Sequence, residues 1–355
     1  MAWRGVVDEF RGRLSRLPAD APAITLLEGD TPLIPAPRLG ARIGARLYLK
    51  FEGMNPTGSF KDRGMCVAVS GAVATGASAV VCASTGNTSA SAAAYACRAG
   101  LRCGVVIPDG NIALGKLAQA LIHGATVIPI EGNFDDALTI ARKLGELESV
   151  ALVNSVNPLR IEGQKTVAFE IIDALGRVPD VHVMPVGNAG NITAAWLGYT
   201  EAVEAYETAG LDGPDRPAMW GAQAAGAAPI VRGEAVASPQ TIATAIRIGN
   251  PASWQGALDA RDSSGGTIES VTDAEILAAY RLLADTEGVF CEPASAAGVA
   301  LLLQKAGRGE VPADAVIVAT LTGHGLKDPD RVVQEIAVPD AVAPDLEVVA
   351  ERLGL

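Results

Sequence analysis

The sequence has few of the residues that mark several common classes of protein. Only three of its 355 residues are histidine (His123, His182 and His324), and they lie far apart, so a histidine-rich metal site is not expected. Basic residues are also scarce, at 28 against 40 acidic residues, which gives a formal net charge of −12. Proteins that bind nucleic acid concentrate lysine and arginine against the phosphates, and no such concentration occurs here. We therefore expect no metal and no nucleic-acid partner.

The chain also lacks the features of secreted and membrane proteins. Its five cysteines are odd in number and form no C-x-x-C pair, so we expect reduced thiols rather than disulfides. The longest apolar runs, such as Ala315–Leu321, are far shorter than the ~20 residues of a membrane helix. The first ten residues carry acidic groups and no continuous apolar stretch, unlike a secretory signal. The sequence predicts a cytoplasmic protein without membrane contact.

Hydrophobic residues make up 49% of the chain, and short β-rich runs alternate with longer segments of helical period. This alternation is typical of α/β proteins with parallel sheets, and the number of runs favours two lobes with a ligand between them. The predicted strands are Arg46–Phe51, Ala79–Ser84, Cys103–Pro108, Thr126–Glu131, Val150–Ser155, Val181–Val186, Met219–Gln223 and Ala315–Thr322. The predicted helices are Thr88–Arg98, Leu117–Gly124, Phe134–Leu147, Ile192–Ala209, Asp273–Thr286 (N-cap Thr272) and Ser295–Lys305.

One segment without such alternation, residues 224–266, is rich in alanine, glycine and proline. We predict that it forms a long excursion or lid. The residues from Asp340 onward are acidic and are predicted to be a surface tail.

A lysine stands at the start of a predicted helix. The segment Asn55–Gly64 (Asn-Pro-Thr-Gly-Ser-Phe-Lys-Asp-Arg-Gly) follows a predicted strand and precedes a helical segment, which places Lys61 at or near a helix N-terminus. The positive end of the helix dipole disfavours a cation there. A lysine that forms a Schiff base with an aldehyde cofactor, and later carries protons, avoids this conflict. A solvated surface lysine paired with Asp62 explains the segment equally well.

Three more segments between strand and helix offer hydrogen-bond donors to anions. Ser84–Ser91 suits a carboxylate, or is an ordinary serine/threonine N-cap. Val186–Asn191 has two glycines, which let backbone N–H groups approach a phosphate; the alternative is an ordinary tight turn. The segment lacks the complete dinucleotide fingerprint. In Asn154–Lys165, Arg160 suits a phosphate or carboxylate, or pairs with Glu162 at the surface.

Two further polar residues are predicted to lie near strand ends. Thr322 follows a strongly apolar strand, so its hydroxyl would project into the crevice that the strand ends line, or cap the next turn. Glu292 is predicted near the same crevice, although its sequence context assigns it no role and is equally typical of an acid at a helix N-terminus.

Four of these motifs occur in a characteristic order along the chain. On them the sequence resembles the pyridoxal-phosphate enzymes of the tryptophan-synthase-β type (fold type II), and within these it is similar to the short-form threonine synthases. The motifs are Gly58–Gly64, Ala83–Ser89, Asn154–Arg160 and Pro185–Asn191, and the resemblance runs from Glu28 to Lys327. The related dehydratases usually carry Ser-Ser-Gly-Asn-His in the second motif and a more glycine-rich phosphate loop. Thr85, Thr88 and Ala189 therefore favour the synthases.

The resemblance implies an α/β fold of two lobes, each a mostly parallel twisted sheet flanked by helices, with pyridoxal 5'-phosphate in the cleft between them. It implies a large domain of residues 1–54 and 156–340 that binds the cofactor phosphate, a small substrate-binding domain of residues 55–155, and a tail of residues 341–355. The implied reaction is γ-elimination and β-addition of water, which convert O-phospho-L-homoserine to L-threonine and phosphate. The implied assembly is a homodimer.

The resemblance also implies roles for individual residues. Lys61 would hold the cofactor as a Schiff base, Asn87 would meet its ring hydroxyl, and Thr322 its pyridine nitrogen. A neutral hydroxyl in that last position should leave the nitrogen largely unprotonated. The remaining expected cofactor contacts are Phe60, Gly187, Asn188, Ala189, Gly190 and Asn191. For the substrate carboxylate, the expected contacts are Ser84, Thr85, Asn87 and Thr88. For the substrate phosphate, they are Thr88, Ser155, Arg160, Asn188 and more weakly Lys116. Asn154 is a further expected substrate contact.

Three other functions are compatible with parts of this pattern. A serine or threonine dehydratase of the same fold would use Lys61 in the same way but would need no site for a substrate phosphate. A nucleotide-binding oxidoreductase shares the alternating strands and helices, but the glycine fingerprint is incomplete. A two-lobed binding protein without catalysis would not account for a lysine at a helix start.

Overall fold

Two twisted sheets form the framework of the computed structural model, which describes residues 2–109, 114–208, 215–328 and 340–355, with the backbone alone at 114–116. The large sheet has the strand order β1-β2-β10-β7-β8-β9, and the small sheet has the order β5-β4-β3-β6. All neighbouring strands are parallel except β1 and β2. The strands are β1 Leu33–Pro35, β2 Arg46–Phe51, β3 Ala79–Ala83, β4 Arg102–Pro108, β5 Thr126–Ile130, β6 Val150–Leu152, β7 Val181–Pro185, β8 Ala218–Ala224, β9 Thr267–Val271 and β10 Val316–Leu321.

Helices cover both faces of the large sheet and flank the small one. They are α1 Val6–Glu9, α2 Pro37–Ile43, α3 Lys61–Ala74, α4 Asn87–Ala99, α5 Leu114–Ile122, α6 Phe134–Leu144, α7 Pro158–Gln164, α8 Thr166–Leu175, α9 Gly190–Thr208, α10 Pro229–Arg232, α11 Trp254–Ser263, α12 Asp273–Glu287, α13 Pro293–Gly307 and α14 Leu346–Leu353. Short 3-10 turns occur at Arg11–Arg13, Glu52–Met54, Thr244–Ile246 and Gly325–Lys327. Helices α2, α12 and α13 pack on one face of the large sheet, and α8, α9 and α11 on the other.

The eight predicted strands and six predicted helices are confirmed, because buried parallel strands such as β10 read as continuous apolar runs. Thr272 caps α12 and forms a capping box with Glu275, as predicted. The prediction that the strand Val150–Ser155 continues to Ser155 was wrong, since β6 ends at Leu152 and the chain then turns. There the side chain of Asn157 donates to the carbonyl of Leu152 and caps α7.

Of the two predictions for residues 224–266, a long excursion or a lid, the structure shows the excursion, as a packed segment between β8 and β9. It contains α10 and α11, and Ala257 and Ala260 of α11 are fully buried against the large sheet. The backbone N–H of Ser253 donates to the carbonyl of Asn188 at 3.1 Å, so the segment is fastened to the loop after β7.

Helices α3 and α7 cross at close range because glycines lie at the crossing. A Cβ on Gly163 would come within 1.9 Å of the Arg63 carbonyl oxygen, which leaves room there for glycine alone. Beside the crossing the fully buried Arg63 binds Glu52 at 2.6 Å and Glu170 at 2.6 Å, and Lys50 of β2 binds Glu170 at 2.7 Å. This buried ion-pair network fastens the start of α3 to the large sheet.

The periphery of the described chain carries two exposed features. Strand β5 is an edge of the small sheet, and its residue Pro129 lies opposite Ile107 of β4. Helix α14 has no buried residue. Among the helices of the described residues, none is both long and apolar enough to cross a bilayer.

Candidate active site

The candidate site lies where loops at the carboxyl ends of strands from both sheets meet. The backbone N–H of Phe60 donates to the Thr322 carbonyl at 3.0 Å, and that of His324 donates to the Gly58 carbonyl at 2.9 Å. The segment that precedes Lys61 therefore runs alongside the turn that follows β10. This edge is where parallel α/β sheets bind ligands.

Lys61 is the first residue of α3, which confirms its predicted place at a helix N-terminus. Burial, and next the positive charge of Arg160, lower the pKa of the Lys61 ammonium to about 7, against the opposing charge of Glu292. Its Nζ lies 4.0 Å from the centre of the Phe60 ring. A neutral amine near pH 7 is a competent nucleophile for an aldehyde.

The alternative reading of Lys61, a surface lysine paired with Asp62, was wrong. Asp62 is fully buried and accepts hydrogen bonds from Thr57 N at 2.7 Å, Thr57 Oγ1 at 2.6 Å and Ser91 Oγ at 2.6 Å. Burial outweighs these bonds and raises the pKa of the Asp62 carboxyl to about 6. Asp62 thus holds the loop before Lys61 against α4.

Arg160 is completely buried and has unused hydrogen-bonding capacity. Its Nη1 donates to the Val153 carbonyl at 2.8 Å, whereas Nε and Nη2 have no hydrogen-bond partner. Burial lowers the pKa of the guanidinium to about 10, a value at which it stays positive at neutral pH. The alternative of a surface pair with Glu162 was wrong, because Glu162 binds Lys165 at 3.0 Å. A buried cation with free donors is prepared for an anion.

Glu292 links two of the predicted cofactor contacts. Its carboxylate accepts from Asn87 Nδ2 at 3.0 Å and from Thr322 Oγ1 at 3.2 Å, and the residue is 4% exposed. Gly323 makes this possible, because a Cβ there would lie 2.6 Å from Cδ of Glu292. The structure therefore brings Asn87 of α4 and Thr322 of the large sheet to the same carboxylate.

The loop between β7 and α9 has the features of a phosphate cradle. A side chain at Gly187 would press against Ile246, because a Cβ there would lie 3.0 Å from the Ile246 Cα. Gly190 begins the 19-residue α9. Ala189 adopts a left-handed conformation with φ of 64°, which is strained for a residue with a side chain. The Nδ2 atom of Asn191 is buried without a partner.

The other predicted substrate contacts lie on the same side of the sheets with different environments. In the loop after β3, Ser84 is half-buried and Thr85 is exposed, and Thr88 in the first turn of α4 is half-buried. Both polar atoms of the Asn154 side-chain amide bond the backbone of Ala83: Oδ1 accepts from Ala83 N at 2.9 Å, and Nδ2 donates to the Ala83 carbonyl at 3.0 Å. Ser155 and Asn188 are half-buried, and Oδ1 of Asn188 accepts from Ala252 N at 3.3 Å. The side chain of Lys116 lies outside the described residues.

These features fit pyridoxal phosphate. The helix N-terminus and the unpaired amide of Asn191 suit its phosphate, and the amine of Lys61 suits its aldehyde. Arg160 is a second anion-binding group, on a different element from the phosphate loop. No group of three or more histidine, cysteine, aspartate or glutamate residues that could hold a metal occurs in the part of the chain that the structure describes.

Comparison with known proteins decides the family. The family model described as "Pyridoxal-phosphate dependent enzyme" matches residues 24–323. A threonine synthase of Synechocystis is 58% identical over 357 residues, which span 99% of this chain and 91% of that protein. A threonine synthase of Mycobacterium leprae is also 58% identical, over 99% of this chain and 97% of that protein.

The chain belongs to the threonine synthase family. It is a pyridoxal-phosphate dependent lyase, with pyridoxal 5'-phosphate as its cofactor. The predicted family, fold class and cofactor are thereby confirmed. Five cysteines are all unpaired in the structure, as predicted.

Solved structures of other enzymes share this family's fold. Maize serine racemase has a TM-score of 0.74 at 21% identity and covers 93% of this chain and 95% of its own. A threonine deaminase from Solanum lycopersicum has a TM-score of 0.74 at 19% identity, over 95% of this chain and 97% of its own. At these identities the likeness extends to the fold alone, so the deaminase gives no support to a dehydratase activity here.

Two residues of the site were not recognised in the sequence as functional. Glu292 forms hydrogen bonds with Asn87, 205 positions away, and with Thr322, 30 positions away, so no local sequence pattern predicts them. Asp62 was considered only as a surface partner of Lys61. The raised pKa values of both carboxyls arise from burial, which depends on the tertiary fold.

Proposed function

We propose that the cleft converts O-phospho-L-homoserine and water to L-threonine and phosphate. The observation that carries this proposal is Arg160, a fully buried guanidinium whose Nε and Nη2 have no partner. Such a group is costly to bury unless an anion completes its hydrogen bonds. Since the phosphate loop after β7 suits the cofactor, Arg160 is available for the phosphate of a substrate. A net charge of −12 makes such a local cation necessary for binding a dianion.

The cofactor is held by residues from both sheets in this proposal. Lys61 would bind its aldehyde, Phe60 would lie beside Lys61, and Asn87 and Thr322 would contact its ring. Residues 187–191 bind its phosphate through backbone N–H groups and the start of α9. When bound, the cofactor supplies an electron sink for the carbanions that form at the substrate.

Residues of the chain then position the substrate and move its protons. The hydroxyls and backbone N–H groups of Ser84, Thr85, Asn87 and Thr88, at the start of α4, bind the carboxylate. Arg160 binds the phosphate with Thr88, Ser155 and Asn188, while Asn154 and Lys116 keep their predicted place as further substrate contacts. Lys61, with a pKa of about 7, would take one proton from Cα and one from Cβ of the substrate and return one to Cγ and one to Cα. Water would add its hydroxyl group at Cβ, and its remaining proton would go to the departing phosphate. Departure of the phosphate from Cγ is favoured by the fixed positive charge of Arg160.

An assay of the purified protein tests this proposal. Expected outcomes are a yellow protein that bleaches on borohydride reduction with the label on Lys61, and equal amounts of phosphate and L-threonine from O-phospho-L-homoserine. Arg160→Ala is expected to raise KM strongly while the cofactor stays bound. Arg42→Ala, which removes an exposed arginine of α2, is the control and should leave KM unchanged.

Two other results would contradict the proposed reaction. Ammonia from threonine, without phosphate release from phosphohomoserine, would assign the protein as a dehydratase. Unchanged kinetics in Arg160→Ala would remove the role given to that residue.

The assembly and location of the protein are also proposals. A homodimer follows from the family resemblance, and light scattering of the purified protein would show twice the 36.3 kDa chain mass. A cytoplasmic location agrees with five cysteines that are all unpaired. The division into a large domain (1–54 and 156–340), a small domain (55–155) and a tail (341–355) stays a prediction, which limited proteolysis near the boundaries would test.

A further inference from the structure

The side chain of Lys327 joins three segments that lie far apart in the sequence. Lys327 ends the 3-10 turn Gly325–Lys327, which follows β10 of the large sheet. Its Nζ donates to the carbonyl of Thr57 at 3.0 Å, in the loop that precedes Lys61. The same Nζ donates to the side-chain carbonyl oxygen Oε1 of Gln119, on α5. One ammonium group therefore holds the turn after β10, the loop before Lys61 and helix α5 together.

The contact with Gln119 reaches the other sheet. Helix α5 packs on the small sheet, where its residues Leu117 and Ala120 share a buried apolar cluster with Val105 and Ile107 of β4. Residues of α4 belong to the same cluster, so α4 and α5 are parts of one packed unit. The lysine thus connects the large sheet to the unit that carries the start of α4.

The surroundings of the Lys327 side chain keep it in this position. Gly58 has φ of 85°, and a Cβ there would lie 3.1 Å from Cδ of Lys327, so the lysine stem runs close against the backbone of this glycine. Burial lowers the pKa of the ammonium, and the negative charges of Glu292 and Asp62 oppose that effect. Both partners of Nζ are carbonyl oxygens, which can only accept. The direction of the two bonds is therefore the same in every protonation state of the neighbouring carboxyls.

We propose that Lys327 is a positioning residue that ties the two sides of the cleft together and so fixes the start of α4 relative to the cofactor. This inference rests on the proposed function, in which the substrate carboxylate binds at the start of α4 while Thr322 contacts the cofactor ring. Lys327 lies five positions after Thr322 and belongs to neither set of contacts. It acts on the substrate through the placement of α4.

The proposed reaction holds the substrate from both sides of the cleft. The substrate amine reacts at the cofactor, whose phosphate is bound by residues 187–191 of the large sheet, and the carboxylate binds residues 84–88 of the small sheet. Reacting groups must be held at a fixed separation, and a misplacement of about 1 Å can cost about 100-fold in rate. A side chain that joins the two sides sets this separation without contact to either ligand.

Loss of this tie should affect the substrate more than the cofactor. The loop before Lys61 keeps its backbone bonds to the turn after β10, from Phe60 to Thr322 and from His324 to Gly58, and these do not involve Lys327. Lys61 and the phosphate loop therefore stay in place for the cofactor. The start of α4, in contrast, loses the attachment that α5 gives it.

The test compares two affinities in Lys327→Met, a variant that keeps an unbranched apolar stem but removes the donors. KM of the holoenzyme for O-phospho-L-homoserine is expected to rise about tenfold or more, while Kd of the apoprotein for pyridoxal phosphate changes by less than about threefold. Lys143→Met replaces an exposed lysine of α6 and is the matched control, which should change neither quantity.

Substitutions at Gln119 test whether this contact is the cause. Gln119→Leu removes the acceptor and should raise KM to a similar extent. The double variant Lys327→Met/Gln119→Leu should raise KM no further than Lys327→Met alone, because both changes break the same contact. Gln119→Glu keeps an acceptor for Nζ and should keep KM within about threefold of wild type. Gln119 is half-buried, so these variants carry the test if Lys327→Met does not fold.

A further measurement needs no substrate. Amide hydrogen exchange of the holoenzyme should be faster in α5 of Lys327→Met and of Gln119→Leu than in wild type, with unchanged exchange in α11, which packs on the large sheet. Unchanged exchange in α5, wild-type KM in Lys327→Met, or effects of the two substitutions that add would each overturn the inference. An equal loss of substrate and cofactor affinity would also overturn it, since that indicates a merely structural role. A wild-type protein that makes no threonine contradicts the proposed reaction instead, and the exchange in α5 then still decides whether the tie exists.

Discussion

The Arg160 side chain lies directly against the backbone of Gly64. A Cβ at Gly64 would come within 2.8 Å of Arg160 Nε and 2.6 Å of the Arg160 carbonyl oxygen. The Arg160 guanidinium can be buried beside α3 only because residue 64, three positions after Lys61, is glycine.

Substitution of Gly64 by alanine should displace Arg160. We expect Gly64→Ala to lower the free energy of unfolding by about 1–3 kcal/mol through overpacking, and to raise KM for phosphohomoserine. Gly307→Ala is the matched control, since Gly307 is the exposed last residue of α13 with no atom within 4 Å of a Cβ. Denaturant unfolding and steady-state kinetics of both variants give the comparison. Equal behaviour of the two would show that Arg160 tolerates the intrusion.

Removal of the positive charge should lower the stability of the fold at Arg63 and raise it at Arg160. Arg63 is saturated by Glu52 and Glu170, so Arg63→Met leaves buried carboxylates unpaired and should cost about 3–5 kcal/mol of stability. Arg160 has a single partner, so Arg160→Met should stabilise the fold by about 1–2 kcal/mol while it abolishes substrate binding. Urea unfolding of the apoproteins measures both. A loss of stability in Arg160→Met would indicate that an anion is not what this residue lacks.

The reactivity of Lys61 should depend on pH in the range where its amine titrates. With a pKa of about 7 the amine is half neutral at pH 7, and about one tenth neutral one unit lower. The rate at which apoprotein takes up pyridoxal phosphate should therefore rise up to about pH 7 and then level off. In Arg160→Met a repelling charge is lost, so the pKa of Lys61 rises and the plateau moves to higher pH. A rate that still climbs toward the ordinary lysine pKa in wild type would contradict the effect of burial.

The strained conformation of Ala189 predicts which substitutions the phosphate loop accepts. With φ of 64°, glycine fits without strain, and Ala189→Gly should keep cofactor affinity and change stability by less than about 1 kcal/mol. A β-branched side chain is much worse in this conformation, so Ala189→Val should cost about 1–3 kcal/mol and weaken cofactor binding. Cofactor titration by absorbance and thermal unfolding distinguish the two. Wild-type affinity in Ala189→Val would show that the loop can relax.

Local patterns in the sequence predicted the elements that are buried and regular. Strand β10 is almost entirely apolar, and Lys61 lies at the junction of a turn motif and a helix, so both can be predicted from the local sequence without knowledge of tertiary contacts. Strand β9 was missed because Thr267–Val271 contains polar residues, and β1 because it has three residues and ends in proline. Their pairing with neighbours, rather than their composition, makes them strands.

The site was predicted less completely because tertiary contacts decide what its side chains do. Arg160 was recognised by its residue type, but its burial with Nε and Nη2 unpaired depends on the close approach of α3 and α7. The contacts of Glu292 with Asn87 and Thr322 depend on the missing side chain of Gly323, a residue on another element. Asn154 stays a predicted substrate contact, and its residue type did not indicate that its side-chain amide also closes the end of β3.

The proline at the edge of the small sheet bears on how copies of this chain behave while they fold. In β5 the carbonyl of Ile130 accepts from Asp109, so Ile128 and Ile130 turn their backbone groups inward, and Val127 and Pro129 turn theirs outward. Of these two outward-facing residues, Pro129 has no N–H, so only the backbone N–H of Val127 could donate a hydrogen bond to a strand of another molecule. Ile128 is 41% exposed beside this edge and would otherwise favour sheet-to-sheet association. Pro129 thus protects the nascent small sheet from aggregation at its most accessible strand.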